Sequence, residues 1–180
     1  NTIFGKECRR VINGVVDRRF LPTTAVRDAV TDDYAGIVYD LDGTIVRLAV
    51  DWDAATEAVA TIYRDADLEP PGSLWTMLDV ADEHGLADPV ESTIARHERE
   101  GARHSTRLPA ADELVACDRP TGVCSLNAES ACRIALAEHD LEDAVDAVVG
   151  RDTMARRKPD PDTWLAAVNR LSLRASDVIF

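Results

Sequence analysis

The sequence predicts an α/β protein built on a doubly wound parallel sheet, with a small all-helical block inserted after the first strand. Three observations carry this. Short apolar runs alternate with helix-length amphipathic segments. The alternation breaks off between residues 50 and 107, where only helical patterns occur. Acids, a hydroxyl and a basic cluster stand beyond the apolar runs, where such sheets place their ligands.

The first run, Gly36-Ile37-Val38-Tyr39, is short and bounded by turn residues, as a strand covered on both faces should be. Asp51 or Asp53 can cap a helix whose inner face is Ala55, Val59 and Ile62. Pro70-Pro71-Gly72 ends that unit. Ser73 then caps a second helix carrying Leu74, Leu78 and Ala81, closed by Gly85. Asp88-Pro89-Val90-Glu91 combines an N-cap, a proline at the first helical position and an acid at N3, starting a third helix that reaches about His104. Beyond the block the pattern predicts a helix at 110–116, a strand at 121–125, a helix at 129–139 and a strand at 147–150. A helix from Pro161 to Leu171 follows, then a last strand at Asp177-Val178-Ile179-Phe180. Residues 34–49 and 108–180 thus form the α/β core, and 50–107 the helical insert.

Residues 1–33 read as an extension foreign to that core. The first thirty residues carry six basic and three acidic side chains, a net +3 that leaves −16 for the remainder of a chain of net charge −13. Val11-Ile12-Asn13-Gly14-Val15-Val16 carries the Asn-Gly signal of a hairpin turn.

A chain of 180 residues, 46% of them apolar, suits one domain or a core with a modest insert. No apolar run approaches the roughly 18 residues of a membrane span, and the N-terminus shows no secretory apolar stretch, so a soluble protein is expected. The acidic balance argues against nucleic acid and anionic membranes as partners. Only Lys6 and Lys158 are lysine among twenty basic residues. This composition resembles that of proteins working at high ionic strength, which screens self-repulsion; an acidic protein from a GC-rich genome is the alternative. Four cysteines show no metal-ligand spacing. Cys124 and Cys132 fall in a strand and a helix as small buried hydrophobes, which fits a reducing cytoplasm. His97 and His104, seven apart on one helix, read as a solvated face. Oligomeric state is not readable.

Three motifs carry the chemistry. Asp40-Leu41-Asp42-Gly43-Thr44 follows strand one directly. One carboxylate there can attack phosphorus, and its neighbour can pass a proton to the leaving oxygen. Gly43 allows a sharp bend with exposed amides. Paired carboxylates also suit Mg²⁺. An Asp-x-Asp-Gly stretch alone is more often a calcium loop or a plain turn, but the spacing of a calcium loop is absent. In Val123-Cys124-Ser125-Leu126-Asn127 an apolar strand ends on a hydroxyl, and the amides after it can bind phosphate oxygens. In Arg157-Lys158-Pro159-Asp160-Pro161-Asp162 a lysine stands in a chain that otherwise uses arginine, and a compact ammonium suits a place beside a carboxylate and a phosphoryl group.

Together and in this order, the motifs resemble those of the haloacid dehalogenase-like hydrolase superfamily over residues 34–180, most closely its phosphoglycolate phosphatase-like branch. The resemblance implies a Rossmann-like core, a mobile helical cap at 50–107, and a phosphatase acting on a small phosphorylated metabolite. Asp40 would form an aspartyl-phosphate and Asp42 would be the general acid and base. Mg²⁺ would be held by Asp40 and the backbone carbonyl of Asp42. Ser125 would hold the transferring group, and Lys158 would neutralise charge on it. Gly43, Thr44, Ser125, Leu126, Asn127 and Lys158 would surround the phosphate. The family's fourth motif, an acidic one, belongs directly after Val178-Ile179-Phe180, so the resemblance implies weak or absent activity for residues 1–180 alone. Asp42 argues against a dehalogenase, and the absence of lysine between Asp40 and Lys158 argues against phosphonate cleavage. A sugar-phosphate mutase of the same build and a non-catalytic binding module stay open.

Overall fold

The computed structural model describes residues 34–153 and 160–180. Cys8, the 11–16 hairpin reading and Lys158 lie outside the described residues. In chain order the elements begin with β1 Gly36–Tyr39, β2 Val46–Arg47, α1 Trp52–Asp65, α2 Leu74–Val80 and α3 Ala87–Arg103. Then come β3 Thr106–Arg107, α4 Ala110–Val115, β4 Thr121–Cys124, α5 Glu129–Ala137, β5 Ala147–Val149, α6 Pro161–Arg170 and β6 Val178–Ile179.

Four strands form a parallel sheet in the order β5-β4-β1-β6. Ile37 sits opposite Thr121 on one side and Ile179 on the other. Strand order therefore reverses at β1, and the carboxyl end of β1 is the switch point of the sheet. Alternation along each strand feeds two cores. Val123 and Val148 join Leu41, Ala131 and Leu136 on one face. Val38, Cys124 and Val149 meet Ala167 and Val168 of α6 on the other. The fold is the doubly wound α/β sheet that the alternation predicts.

Helices α1 to α3 enclose a hydrophobic cluster of their own, with Ala55, Val59, Tyr63, Met77, Val90 and Ile94 at its centre. The Tyr63 hydroxyl donates to Met77 O at 2.6 Å, tying α1 to α2. Asp51 caps α1, its Oδ1 accepting from Ala54 N–H at 2.9 Å. Ser73 caps α2. Two local expectations are corrected. Ile62 is only half-buried, and Tyr63 takes the inward place. Helix α3 begins at Ala87 after Leu86, so Asp88 lies inside the first turn, where its charge favours the helix dipole rather than capping it.

The chain enters and leaves this helical unit through an antiparallel ribbon, β2 against β3, pairing Val46 with Arg107 and Arg47 with Thr106. The sequence does not reveal it, because two-residue strands are too short to show a period. Cys124 and Cys132 are buried free thiols, as expected. His97 is not on a solvated face: it is half-buried, and its Nε2 has no hydrogen-bond partner among the described residues. Burial, with the Arg96 charge adding, holds its pKa below the usual imidazole value despite Asp51. Among the described residues, no helix is long and apolar enough to cross a membrane.

Candidate active site

The turn after β1 is built on hydrogen bonds that the sequence demands. Leu41 is fully buried, and its carbonyl accepts from the N–H groups of Thr44, Ile45 and Val46. The chain reverses through Gly43 at φ +81°, a left-handed conformation that a side chain would strain. Asp40 and Asp42 are thereby left flanking a buried anchor, both half-buried. Asp42 Oδ1 accepts from Leu48 N–H at 2.9 Å. Burial, foremost, pushes the Asp42 carboxyl above the ordinary carboxylate range. The negative charge of Asp40 adds to the rise, while the N–H groups of Leu48 and Gly43 and the charge of Arg47 oppose it.

Ser125 continues β4, its N–H donating to Val149 O at 2.9 Å. Its hydroxyl donates to Asn127 Oδ1 at 3.0 Å and accepts from Asn127 N–H at 3.2 Å. Asp40, Asp42, Ser125, Leu126 and Asn127 line one cavity of about 210 Å³, completed by Trp52 and Trp75 from the helical unit. Residues of the first and second sequence motifs therefore line the same cavity.

Two phosphate contacts need correction. The amide of Gly43 donates to Val46 O at 2.7 Å and that of Thr44 to Leu41 O at 3.2 Å, and neither residue lines the cavity. Those amides close the turn rather than face a ligand. At the start of α5 three amides are also taken. Asn127 N–H goes to Ser125, Ala128 N–H to Glu98 Oε2 at 3.0 Å, and Glu129 N–H to Asp152 Oδ1 at 2.7 Å. Side chains thus take the amides of Asn127, Ala128 and Glu129, at the helix start that the sequence offered to phosphate.

The loop is seated by a buried network. Glu98 of α3 is 0% exposed. Its oxygens accept from Arg151 Nη1 at 2.6 Å and Nη2 at 3.0 Å, and from Asn127 Nδ2 at 3.2 Å. Arg151 also donates to Leu126 O at 2.8 Å and to Glu91 at 2.6 Å. Burial works against the guanidinium charge, yet the hydrogen bonds it donates to Glu98 and Glu91 outweigh it and raise the Arg151 pKa. Gly150, just before, is obligatory, because a Cβ there would lie 2.1 Å from Glu129 N. Cys132 beneath the loop is inert as a nucleophile, its thiol pushed up to about 12 by burial.

A family described as haloacid dehalogenase-like hydrolase matches residues 99–180. The fructose-1-phosphate phosphatase YqaB of Escherichia coli is 29% identical over 81% of this chain and 85% of its own length. The phosphoglycolate phosphatase of Cereibacter sphaeroides is 26% identical over 70% of this chain, which spans 66% of that relative. A hydrolase from Pseudomonas syringae superposes with a TM-score of 0.58 at 20% identity, over 81% of this chain and 74% of that one. The chain is thus similar to the haloacid dehalogenase-like hydrolases over residues 99–180 and shares their fold.

The family match includes Ser125 and Lys158 but begins beyond Asp40 and Asp42; the cavity brings those two acids to Ser125. The donors of this haloacid dehalogenase-like site suit Mg²⁺, a hard cation that takes one or two carboxylates and keeps waters. Among the described residues no group of three or more His, Cys, Asp or Glu is poised around a metal. Asp40 and Asp42 are the acidic side chains at the cavity. Sequence reading missed Trp52, Trp75, Glu98 and Arg151. For Glu98 a signal existed. It falls on the stripe Val90, Ile94, Ala95, Glu98, Ala102 that α3 buries, so the helical period itself places an acid in the interior.

Proposed function

We propose that this chain is a Mg²⁺-dependent phosphomonoesterase that acts on a small phosphorylated metabolite through an aspartyl-phosphate on Asp40. One observation carries the reading: Asp40, Asp42 and Ser125, far apart in sequence, share a cavity at the switch point of a parallel sheet. The phosphatase relatives support it.

Asp40 attacks phosphorus as a carboxylate, and the bond from phosphorus to the ester oxygen breaks. The departing oxygen takes its proton from Asp42, whose raised pKa suits a group that must hold a proton until that moment. Asp42 then draws a proton from water as that water attacks phosphorus. The bond to Asp40 breaks, inorganic phosphate leaves, and both acids return to their starting states. Ser125 turns its hydroxyl proton from Asn127 to a phosphoryl oxygen. Lys158 adds positive charge at the same group. Asp40 and the backbone carbonyl of Asp42 would hold Mg²⁺, which would supply charge neutralisation for the phosphoryl group. Residues 50–107 act as the cap, closing over the cavity to exclude water.

Replacing the nucleophile tests the reading. Asp40→Asn keeps size and fold but cannot form the acyl phosphate, so turnover of an aryl phosphate falls to background. Undiminished phosphate release by this variant would falsify the assignment.

A further inference from the structure

We infer that the cavity accepts a phosphomonoester whose organic part presents a ring, seated against Trp52 and Trp75; this deepens the phosphatase reading and rests on it. The walls decide the matter. Besides the two acids, Ser125 and Asn127, the lining is Trp52, Trp75 and Leu126. Trp52 opens α1 and Trp75 is the second residue of α2, so two helix starts aim indoles at the same space. Their centroids lie 5.5 Å apart with planes inclined at 55°, a tilted aromatic pair. Trp75 remains 45% exposed, an indole that the helical unit's own core has not covered. Broad aromatic faces bind the C–H face of a sugar ring or another ring by dispersion and quadrupole contact.

Among the described residues, no arginine, lysine or histidine lines the cavity. The cavity of about 210 Å³ is smaller than the roughly 300–1,000 Å³ of most small-molecule pockets, a scale suited to one ring.

The test is a specificity ratio in the purified protein. The value of kcat/KM is measured for glucose 6-phosphate, phenyl phosphate and phosphoglycolate, in the wild type, Trp75→Ala and Trp75→Phe. Ring substrates should lead phosphoglycolate by about tenfold or more. Trp75→Ala should shrink that lead by about three- to tenfold, chiefly through KM, and Trp75→Phe should keep most of it. The glucose and phenyl arms separate a hydroxylated ring from an aromatic one. Parity with phosphoglycolate, or a ratio that Trp75→Ala leaves unmoved, overturns the inference. If no substrate shows Asp40-dependent turnover, the phosphatase reading itself fails. The ring inference is then decided by indole fluorescence titration of the Asp40→Asn protein. Tighter binding of ring phosphates, lost in Trp75→Ala, upholds it, and equal affinities reject it.

Discussion

Two pairs of acids in this chain come to opposite ends. Asp40 and Asp42, two residues apart, flank the turn after β1 and line the cavity. Glu91 and Glu98, seven apart and so two turns along one face of α3, converge on Arg151. What faces the carboxylates makes the difference. Both oxygens of Glu98 accept from a guanidinium, and further donors come from Asn127 and Ala128, so its charge is consumed in holding the Ser125–Asn127 loop against the helical unit. Asp42 receives the N–H of Leu48, and burial raises its pKa. An acid whose proton is left adjustable can do chemistry; one fixed to a guanidinium holds structure.

The largest effect expected from breaking this contrast is on turnover. Asp42→Asn keeps an oxygen for the Leu48 N–H but cannot give a proton to the leaving group, so kcat should fall by roughly 10²–10⁴. Stability should move the other way. A carboxyl whose folded-state pKa is raised binds protons in the folded state at pH values where the unfolded chain has lost them. Its contribution to stability is therefore present at low pH and lost as pH rises through the raised value. At neutral pH, Asp42→Asn should accordingly be as stable as wild type or more so in urea unfolding. The wild-type rate of the first step should also decline as pH rises through the Asp42 pKa, a limb that the variant lacks. A variant that loses stability while keeping turnover would invert the two roles.

The second effect is on folding. Removing the guanidinium with Arg151→Ala leaves Glu98 charged and buried with its main donor gone, which should cost about 3–5 kcal/mol. The side chains of Arg151 and Glu98 are 1% and 0% exposed, so solvent offers little relief. The urea midpoint measures this, and a loss below about 1 kcal/mol would show that the cluster is not the clamp described. The loop it seats should loosen as well, with KM rising for any phosphorylated substrate that turns over.

How legible each pair is follows from the range of its causes. The strands of the parallel sheet and the β1 acids could be read because an apolar run and the turn beyond it are local, and Asp40, Asp42 and Ser125 each stand within three residues of a strand end. The same locality gave the caps Asp51 and Ser73. Arg151 stands among polar residues and looks like surface, because its partners come from a helix more than fifty residues earlier. Amides failed for a related reason. A glycine turn or a helix start advertises free N–H groups, but whether Glu98 or Asp152 takes them depends on how helices pack. Trp52 and Trp75 belong to the same class: each sits at a helix start, and only the placing of the helical unit over the core brings them to the cavity.

The smallest effect gives the sharpest comparison, because Glu91 and Glu98 share one guanidinium at the same 2.6 Å and differ in water. The Glu91 side chain is 30% exposed and that of Glu98 is buried completely. Glu91→Gln keeps an oxygen to accept from Arg151, and solvent screens what charge is lost, so it should cost about 0–1 kcal/mol and less still in high salt. Glu98→Gln turns an NH₂ group toward donors at a position closed to solvent, and one hydrogen bond must fail at about 1–3 kcal/mol, with little dependence on salt. Denaturant midpoints of both variants at low and high ionic strength measure the gap. If Glu91→Gln costs as much as Glu98→Gln, pairing rather than desolvation holds the clamp. Burial would then no longer be what separates the acids of α3 from those of β1.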